Sequence, residues 1–246
     1  IKDLIKMNEN LSILDVGCGT GIFLDKIKSY DYKELHGIDP SISMINKAYD
    51  KIKNIDKCKV WQDYIENIED NRYDIILCNQ VIQNLTLDKN NCFVIRNNFY
   101  NELYRVLKPN GQLILTTRNV NETYSNMYWY CDENILSKSI DDMSTFVPNN
   151  LYDEINNINK FKDINILNSN DLIYKDNCYK NINILNDKNW YAADSFWSHV
   201  ERNNELENFN DNINNLIKKN QIDNYINDRD KLRNNKGHIK ILNCYK

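Results

Sequence analysis

Glycine is scarce in this 246-residue chain, yet three of its six glycines fall within five consecutive positions. Gly17, Gly19 and Gly21 follow an apolar run at 13–16 and precede apolar residues at helical spacing. A strand that passes through clustered glycines into a helix lets the backbone approach a ligand closely. Positive φ angles cost little at glycine, and a helix start offers free N–H groups. We therefore predict a nucleotide-type cofactor site here, against the alternative of a merely tight strand–helix turn.

Acidic residues at three successive strand ends narrow the choice of cofactor. The glycine spacing is G-x-G-x-G, which differs from the G-x-G-x-x-G of dinucleotide binding. Asp15, two residues before the first glycine, suits a ligand ammonium and would repel a pyrophosphate. Asp39 ends the second apolar run and is placed to accept from ribose hydroxyls, and Asp63 ends the third and is placed to accept from an adenine amino group. This pattern predicts S-adenosylmethionine.

Five segments resemble class I S-adenosylmethionine-dependent methyltransferases, in the type 11-like group that methylates small molecules. The segments stand in the family's order: ILDVGCGTG (13–21), HGIDPSISMINKA (36–48), VWQD (60–63), YDIILCNQVIQNL (73–85) and ELYRVLKPNGQLILTT (102–117). The resemblance implies a Rossmann-like, doubly wound α/β sheet of seven strands, order 3-2-1-4-5-7-6, with strand 7 antiparallel. It also implies that S-adenosylmethionine, released as S-adenosylhomocysteine, lies across the carboxyl ends of strands 1, 2 and 4.

The cofactor-binding set expected from the motifs and the resemblance is larger than the three acids. Its members are Asp15, Gly17, Cys18, Gly19, Thr20, Gly21, Asp39, Pro40, Met44, Asp63, Tyr64, Asn79 and Gln80.

Length and patterning predict one large domain with a long insertion. A chain of this length can bury a substantial core without disulfides, so we expect residues 1–246 to form a single methyltransferase domain. Residues 170–236 exceed what the minimal fold needs between strands 6 and 7. Apolar residues at helical spacing predict two helices there, over 206–217 and 222–232. The insertion is either a packing appendage or a substrate lid.

Aromatic residues concentrate in two segments, 124–130 and 190–199. Dense aromatics near the active end of a sheet are typical of a substrate lid, and the alternative is ordinary burial beneath the insertion. The catalytic residue is not identified by the sequence. The candidates are Tyr124, Tyr128, Trp129 and His199, although a lone histidine in a helical insertion is often structural.

The segment after strand 4 departs from the family pattern, and this departure bears on which class of molecule accepts the methyl group. Many relatives have a histidine where this chain has Asn84, so an acid–base role at this position is in doubt. The Asn-Pro-Pro-aromatic motif of enzymes that methylate DNA bases and glutamine is absent, and residues 78–81 read Cys-Asn-Gln-Val. The resemblance therefore implies a small-molecule acceptor, with O- and N-methylation both open.

Net charge, hydropathy and cysteine usage argue against several other classes of protein. The net charge of −4 and the pI near 5.5 lack the basic footprint of a nucleic-acid binder. Without an apolar run of roughly 20 residues or an initial signal peptide, we expect no membrane span and a cytoplasmic location. Seven cysteines without C-x-x-C pairs and only three histidines predict no metal site and no disulfide framework.

Two alternative functions remain open at this point, and the sequence leaves the oligomeric state undetermined. One is an RNA or protein methyltransferase, and the other is a methyltransferase-like, non-catalytic binding or activator subunit. About a dozen residues precede the first strand, where relatives usually carry helices that cover the cofactor. Either the chain has been trimmed or the insertion provides this cover.

Overall fold

The computed structural model describes residues 4–5, 8–118, 129–132, 134–169, 181–183, 195–236 and 239–246. The chain divides into two compact units. The first consists of residues 1–117, 151–167 and 241–246, and the second of residues 118–150 and 168–240. The single domain with an insertion over 170–236 stays a prediction, but the second unit also takes in residues after the fifth strand.

Within the described residues, seven strands form one sheet in the order β3-β2-β1-β4-β5-β7-β6. Their bounds are β1 (Ser12–Val16), β2 (Glu34–Asp39), β3 (Cys58–Gln62), β4 (Tyr73–Asn79), β5 (Leu107–Thr117), β6 (Lys162–Ser169) and β7 (Ile239–Tyr245). The pairs β1–β2, β1–β4, β2–β3 and β4–β5 are parallel, and β7 is antiparallel. The predicted fold class, strand order and direction of strand 7 are confirmed.

The helices alternate with the strands and then continue between β6 and β7. Their bounds are α1 (Ile22–Ile27), α2 (Ile42–Ile52), α3 (Cys92–Val106), α4 (Ser137–Thr145), α5 (Leu151–Asn156), α6 (Ser195–Arg202), α7 (Leu206–Lys218) and α8 (Ile222–Lys236). Helices α7 and α8 confirm the two helices predicted in the insertion.

The core of the first unit forms around the central strand β1, which is buried along its whole length. All five residues of β1 are buried, which is typical of a parallel strand covered on both faces. Leu14 and Val16 pack with Ile76 of β4 and Leu103 of α3. Asp15 stands between these two apolar residues, so the fold carries a carboxylate into the interior of the sheet.

The second unit has its own core, built largely from aromatic rings. Trp129, Tyr130, Phe196, Trp197 and Phe209 are all buried in one cluster. The ring centroids of Tyr130 and Trp197 are 5.0 Å apart, and those of Trp197 and Phe209 are 5.4 Å apart. Aromatic pairs at such separations contribute stability beyond the area that they bury.

Buried polar groups in the second unit form hydrogen bonds with one another. Glu205, which directly precedes α7 in the chain, is buried. Its carboxylate lies beside the N-terminus of α4. Its Oε1 accepts the N–H of Lys138 at 3.0 Å, and its Oε2 accepts the N–H of Ser139 at 2.8 Å. A helix start leaves such N–H groups without intrahelical partners, so this carboxylate satisfies α4 from a distant part of the chain.

Candidate cofactor-binding site

The loop between β1 and α1 contains the three clustered glycines, all with positive φ. A Cβ at Gly17 would lie 2.5 Å from Val81 Cγ2, and one at Gly21 would lie 2.9 Å from Ala48 Cβ. These two positions therefore require glycine because the chain packs closely against them. A Cβ at Gly19 would meet no atom within 4 Å. Gly19 borders open space, as a loop that receives a ligand must.

Asp39 ends β2 and holds this loop in place. Its Oδ2 accepts the N–H of Gly19 at 2.9 Å, and its Oδ1 accepts the N–H of Ser41 at 2.9 Å. The carboxylate thus connects the glycine loop to the start of α2. Each carboxylate oxygen has two lone pairs, so both oxygens of Asp39 retain acceptor capacity for a ligand hydroxyl.

Asp63 follows β3, and its carboxylate accepts more hydrogen bonds within the protein than that of Asp39. Its Oδ1 accepts from Asn67 Nδ2 at 2.7 Å and from the N–H of Tyr64 at 2.9 Å, and its Oδ2 accepts from Trp61 Nε1 at 3.0 Å. The hydrogen bond from Asn67, with those from Tyr64 and Trp61, lowers the pKa of Asp63 below its ordinary value despite some desolvation. One lone pair of Oδ2 remains to accept from a ligand amino group.

Asp15 differs from the other two acids because it is buried without a full set of partners. It is 1% exposed, and its Oδ1 has no hydrogen-bond partner among the described residues. Burial raises the pKa of Asp15 to about 7, the Asn79 amide at the end of β4 opposes the rise, and Asp39 adds to it. Even so, Asn79 Nδ2 makes no hydrogen bond of normal geometry within the described chain. A cationic ligand group would compensate this carboxylate.

These features fit S-adenosylmethionine. The cofactor's ammonium matches the orphaned Oδ1 of Asp15, and its ribose and adenine offer donors to Asp39 and Asp63. The space beside Gly19 accommodates a chain that crosses the loop closely. The three acids lie on adjacent strands, since β1 pairs with β2 and β2 with β3.

The other expected cofactor residues lie on the loops after β1, β2, β3 and β4, except Met44 on α2 and Asn79 at the end of β4. Cys18 is buried, and desolvation, with the nearby charges of Asp15 and Asp39, raises the pKa of its thiol. Met44 and Tyr64 have exposed side chains. The contacts of Cys18, Thr20, Pro40, Met44, Tyr64, Asn79 and Gln80 with a cofactor stay predictions.

Sequence reasoning included Asn79 and Gln80 in the cofactor site but missed Gln83 on the turn after β4. Gln80 has a φ of 57° and donates its N–H to the Thr116 carbonyl at 3.0 Å. Gln83 Nε2 donates to the Gln80 carbonyl at 2.9 Å. Gln83 Oε1 is buried and, in the part of the chain that the structure describes, accepts no hydrogen bond. The sequence signal was the amide-rich run 79–84 directly after a buried strand.

Sequence reasoning also missed Lys51. Lys51 Nζ on α2 donates to the Thr20 carbonyl of the glycine loop at 2.5 Å. Nothing in the local sequence separates this lysine from the exposed Lys47 on the same helix.

The catalytic candidates after β5 and in the insertion fall into two groups. Tyr124 and Tyr128 lie outside the described residues. Trp129 and His199 are 2% and 5% exposed, and Trp129 packs in the aromatic core of the second unit. His199 Nδ1 lies 3.6 Å from Asp142 Oδ2. Both side chains are buried within this unit, and a catalytic role for either one stays a prediction.

The described residues contain neither a cluster of metal ligands nor a helix suited to a membrane. No group of three or more His, Cys, Asp or Glu side chains in those ranges is arranged to hold a metal ion. None of the described helices has the length and apolar character needed to cross a membrane. The six described cysteines are buried.

Comparison with known proteins bears directly on this site. The family described as "Methyltransferase domain" matches residues 7–231. An uncharacterised methyltransferase of Schizosaccharomyces pombe is 31% identical over 117 residues, which cover 47% of this chain and 42% of the relative. The chain thus spans less than half the length of the curated relatives that it matches first.

Two solved structures share the fold. A putative methyltransferase from an antibiotic biosynthesis pathway of Anabaena variabilis has a TM-score of 0.68 at 14% identity, covering 98% of this chain and 93% of that one. Phosphoethanolamine N-methyltransferase 2 of Haemonchus contortus, solved with S-adenosyl-L-methionine, has a TM-score of 0.59 at 20% identity, covering 100% of this chain and 50% of that one. Because the family match extends over most of the chain, this protein belongs to the methyltransferase-domain family, among the class I S-adenosylmethionine-dependent methyltransferases.

Proposed function

We propose that this protein transfers the methyl group of S-adenosylmethionine to a small-molecule acceptor. The observation that carries the proposal is the buried, incompletely paired carboxylate of Asp15 beside an open glycine loop, with Asp39 and Asp63 on the next two strands. An interior carboxylate without a compensating group is costly, and a ligand ammonium removes that cost. The family's cofactor carries such a group.

Each acid has a separate part in holding the cofactor. Asp15 pairs with the ammonium, Asp39 accepts from the ribose hydroxyls, and Asp63 accepts from the adenine amino group. S-adenosylmethionine supplies an electrophilic methyl group when bound. Asp39 has a second task, because its bond to the N–H of Gly19 keeps the loop in the shape that the ligand meets.

The chain's further contribution is to orient the acceptor and exclude water. Methyl transfer from a sulfonium is an in-line displacement, so alignment supplies much of the rate. The turn after β4 offers the amides of Asn79, Gln80 and Gln83, which do not titrate near neutral pH. These amides are suited to orient a polar acceptor by hydrogen bonds, and they accommodate an oxygen or a nitrogen nucleophile equally.

A small-molecule acceptor is supported by charge and by a fold relative. The net charge of −4 provides no general attraction for RNA. The Haemonchus contortus structure is named as an enzyme that methylates phosphoethanolamine, a small acceptor. The odd number of cysteines and the lack of C-x-x-C pairs in the sequence argue against a disulfide framework, which supports a cytoplasmic location as part of the proposal. The lid at 124–130 and 190–199 stays a prediction.

The test has two stages. Calorimetric titration of the wild-type protein with S-adenosylhomocysteine should show micromolar binding, and NAD at the same concentration should show none. Small oxygen and nitrogen nucleophiles, phosphoethanolamine among them, are then screened with S-adenosylmethionine for release of S-adenosylhomocysteine. Binding of NAD instead of S-adenosylhomocysteine would overturn the proposal. Turnover with RNA or protein acceptors alone would overturn its small-molecule part, and cofactor binding without turnover on any acceptor would favour the non-catalytic alternative.

A further inference from the structure

Two side chains of opposite charge hold neighbouring residues of the glycine loop. Asp39 at the end of β2 accepts the N–H of Gly19 at 2.9 Å. Lys51 on the last turn of α2 donates from Nζ to the Thr20 carbonyl at 2.5 Å and to Thr20 Oγ1 at 3.3 Å. The second strand–helix unit therefore fixes one backbone donor and one backbone acceptor of adjacent loop residues.

The loop needs such ties because its sequence does not hold it rigid. Three glycines within five residues adopt φ values of 68°, 53° and 70°, and glycine loses more conformational freedom on ordering than other residues. The other ties come from the backbone, where the N–H of Cys18 donates to the Ile38 carbonyl at 2.9 Å and that of Gly21 to the Cys18 carbonyl at 2.9 Å. A loop that is ordered before the ligand arrives avoids this entropy cost at binding.

Lys51 is itself well placed to act as a fixed point. Its backbone carbonyl accepts from Lys28 Nζ at 2.9 Å, which connects the end of α2 to the end of α1. Its side chain is partly buried along the helix, with the ammonium at the loop. A charged donor to a carbonyl makes a stronger hydrogen bond than a neutral one.

We propose that Lys51 is a positioning residue for the cofactor loop. By holding the Thr20 carbonyl, it keeps the space beside Gly19 open and raises cofactor affinity without contacting the cofactor. The identity of the ligand rests on the proposed function, whereas the effect of Lys51 on the loop does not.

The experiment compares four proteins: wild type, Lys51→Met, Lys51→Arg and the control Lys53→Met. Lys53 lies just beyond α2 and makes an exposed pair with Asp50 at 3.1 Å, so its loss removes the same charge without touching the loop. Affinity for S-adenosylhomocysteine is measured by calorimetry. Amide hydrogen exchange across residues 17–23 is measured in the ligand-free proteins.

We expect Lys51→Met to weaken binding about tenfold, the loss expected for one charge-assisted hydrogen bond that is partly exposed. The loss should appear as a more unfavourable binding entropy, and exchange in the loop should become faster without a matching change across β4. Lys51→Arg should recover most of the affinity, since its guanidinium also donates to a carbonyl. Lys53→Met should match the wild type.

Unchanged affinity and unchanged loop exchange in Lys51→Met would overturn the proposal. An equal loss in Lys53→Met would also overturn it, because the effect would then reflect net charge. If Lys51→Met does not fold, Lys51→Gln replaces it, and equal affinities for Lys51→Gln and Lys51→Arg would count against the proposal. Failure of the wild type to bind S-adenosylhomocysteine would refute the proposed function, while the loop exchange would still decide the role of Lys51.

Discussion

Asp15 in the first unit and Asp132 in the second are both buried carboxylates, at 1% and 6% exposed, but their partners differ. Asp132 Oδ2 accepts from the Tyr225 hydroxyl at 2.7 Å, and its Oδ1 accepts the N–H of Asn134 at 2.9 Å. Burial alone would raise the pKa of Asp132, but these bonds and the charge of Arg229 lower it overall. Burial raises the pKa of Asp15 to about 7, since its Oδ1 has no such partner in the described chain.

The comparison separates a carboxylate that stabilises the fold from one that awaits a ligand. Burial raises the pKa of both carboxylates and does so more completely for Asp15, whereas the hydrogen bonds and charges around Asp132 outweigh the effect of burial there. The partners of Asp132 come from its own unit, and its charge is already compensated. The compensation for Asp15 is incomplete among the described residues, and the proposed function assigns the missing partner to the cofactor's ammonium.

The largest expected effect is on folding, at the compensated carboxylate. Asp132→Ala would leave the Tyr225 hydroxyl and the Arg229 guanidinium without their carboxylate, and removing one member of a buried charged group costs about 3–5 kcal/mol. Chemical denaturation of the mutant measures this loss. The control is Asp228→Ala, because the exposed Asp228–Lys231 pair should contribute less than about 0.5 kcal/mol. Equal stabilities for the two mutants would remove the basis of the comparison.

A smaller effect is expected on cofactor binding at Asp39. Asp39→Ala removes the acceptor for the Gly19 N–H and for the ribose hydroxyls, and should weaken binding of S-adenosylhomocysteine by roughly 1.5–3 kcal/mol. Asp39→Asn keeps one acceptor oxygen and should lose less. Calorimetry checks both mutants against Asp50→Ala, an exposed position on α2. If affinity in Asp39→Ala equals that of the wild type, Asp39 is not a cofactor ligand.

The first unit was largely predictable from its sequence, and the reason is local. Apolar runs in the sequence mark the strands, and their carboxyl ends carry Asp15, Asp39 and Asp63. Three glycines so close together rarely arise by chance in a glycine-poor chain. The strand order came from the resemblance, because periodicity alone does not say which strands are neighbours. Lys51 escaped prediction because its contact with Thr20 joins residues 31 positions apart and depends on how α2 is rotated.

The second unit was less predictable because aromatic density does not distinguish a pocket from a core. Trp129 and Trp197 stood in segments that resemble a lid, yet both side chains are buried in the aromatic cluster of this unit. Helix α4 lies outside the predicted insertion, but its N–H groups are bound by Glu205. Such a tertiary contact leaves no pattern in either segment, so it could not be predicted from the sequence.

Asp15→Asn should change stability in a pH-dependent way. The unfolded carboxyl titrates near 3.9, so between about pH 4 and 7 the folded state holds more protons and stability falls as pH rises. The asparagine mutant lacks this fall. Without ligand, the mutant should gain about 2–3 kcal/mol of stability relative to the wild type between pH 5 and pH 8. Denaturation at both pH values tests this, and a mutant without this gain would show that Asp15 is compensated within the protein.

The smallest expected effect is the proton released when the cofactor binds. With a pKa of about 7, Asp15 is roughly half protonated at neutral pH, and pairing with an ammonium would lower that pKa. Asp39 is the charged neighbour and favours the protonated form, whereas the thiols of Cys18 and Cys78 stay neutral because burial raises their pKa values. Binding of S-adenosylhomocysteine at pH 7 should therefore release about half a proton, and affinity should rise about fivefold from pH 6 to pH 7.

Calorimetry in phosphate and in Tris reports the protons released, because the two buffers differ in ionisation enthalpy. Asp15→Asn should bind more weakly and show no buffer dependence; a wild type that also shows none would mean that Asp15 is already ionised before the cofactor arrives.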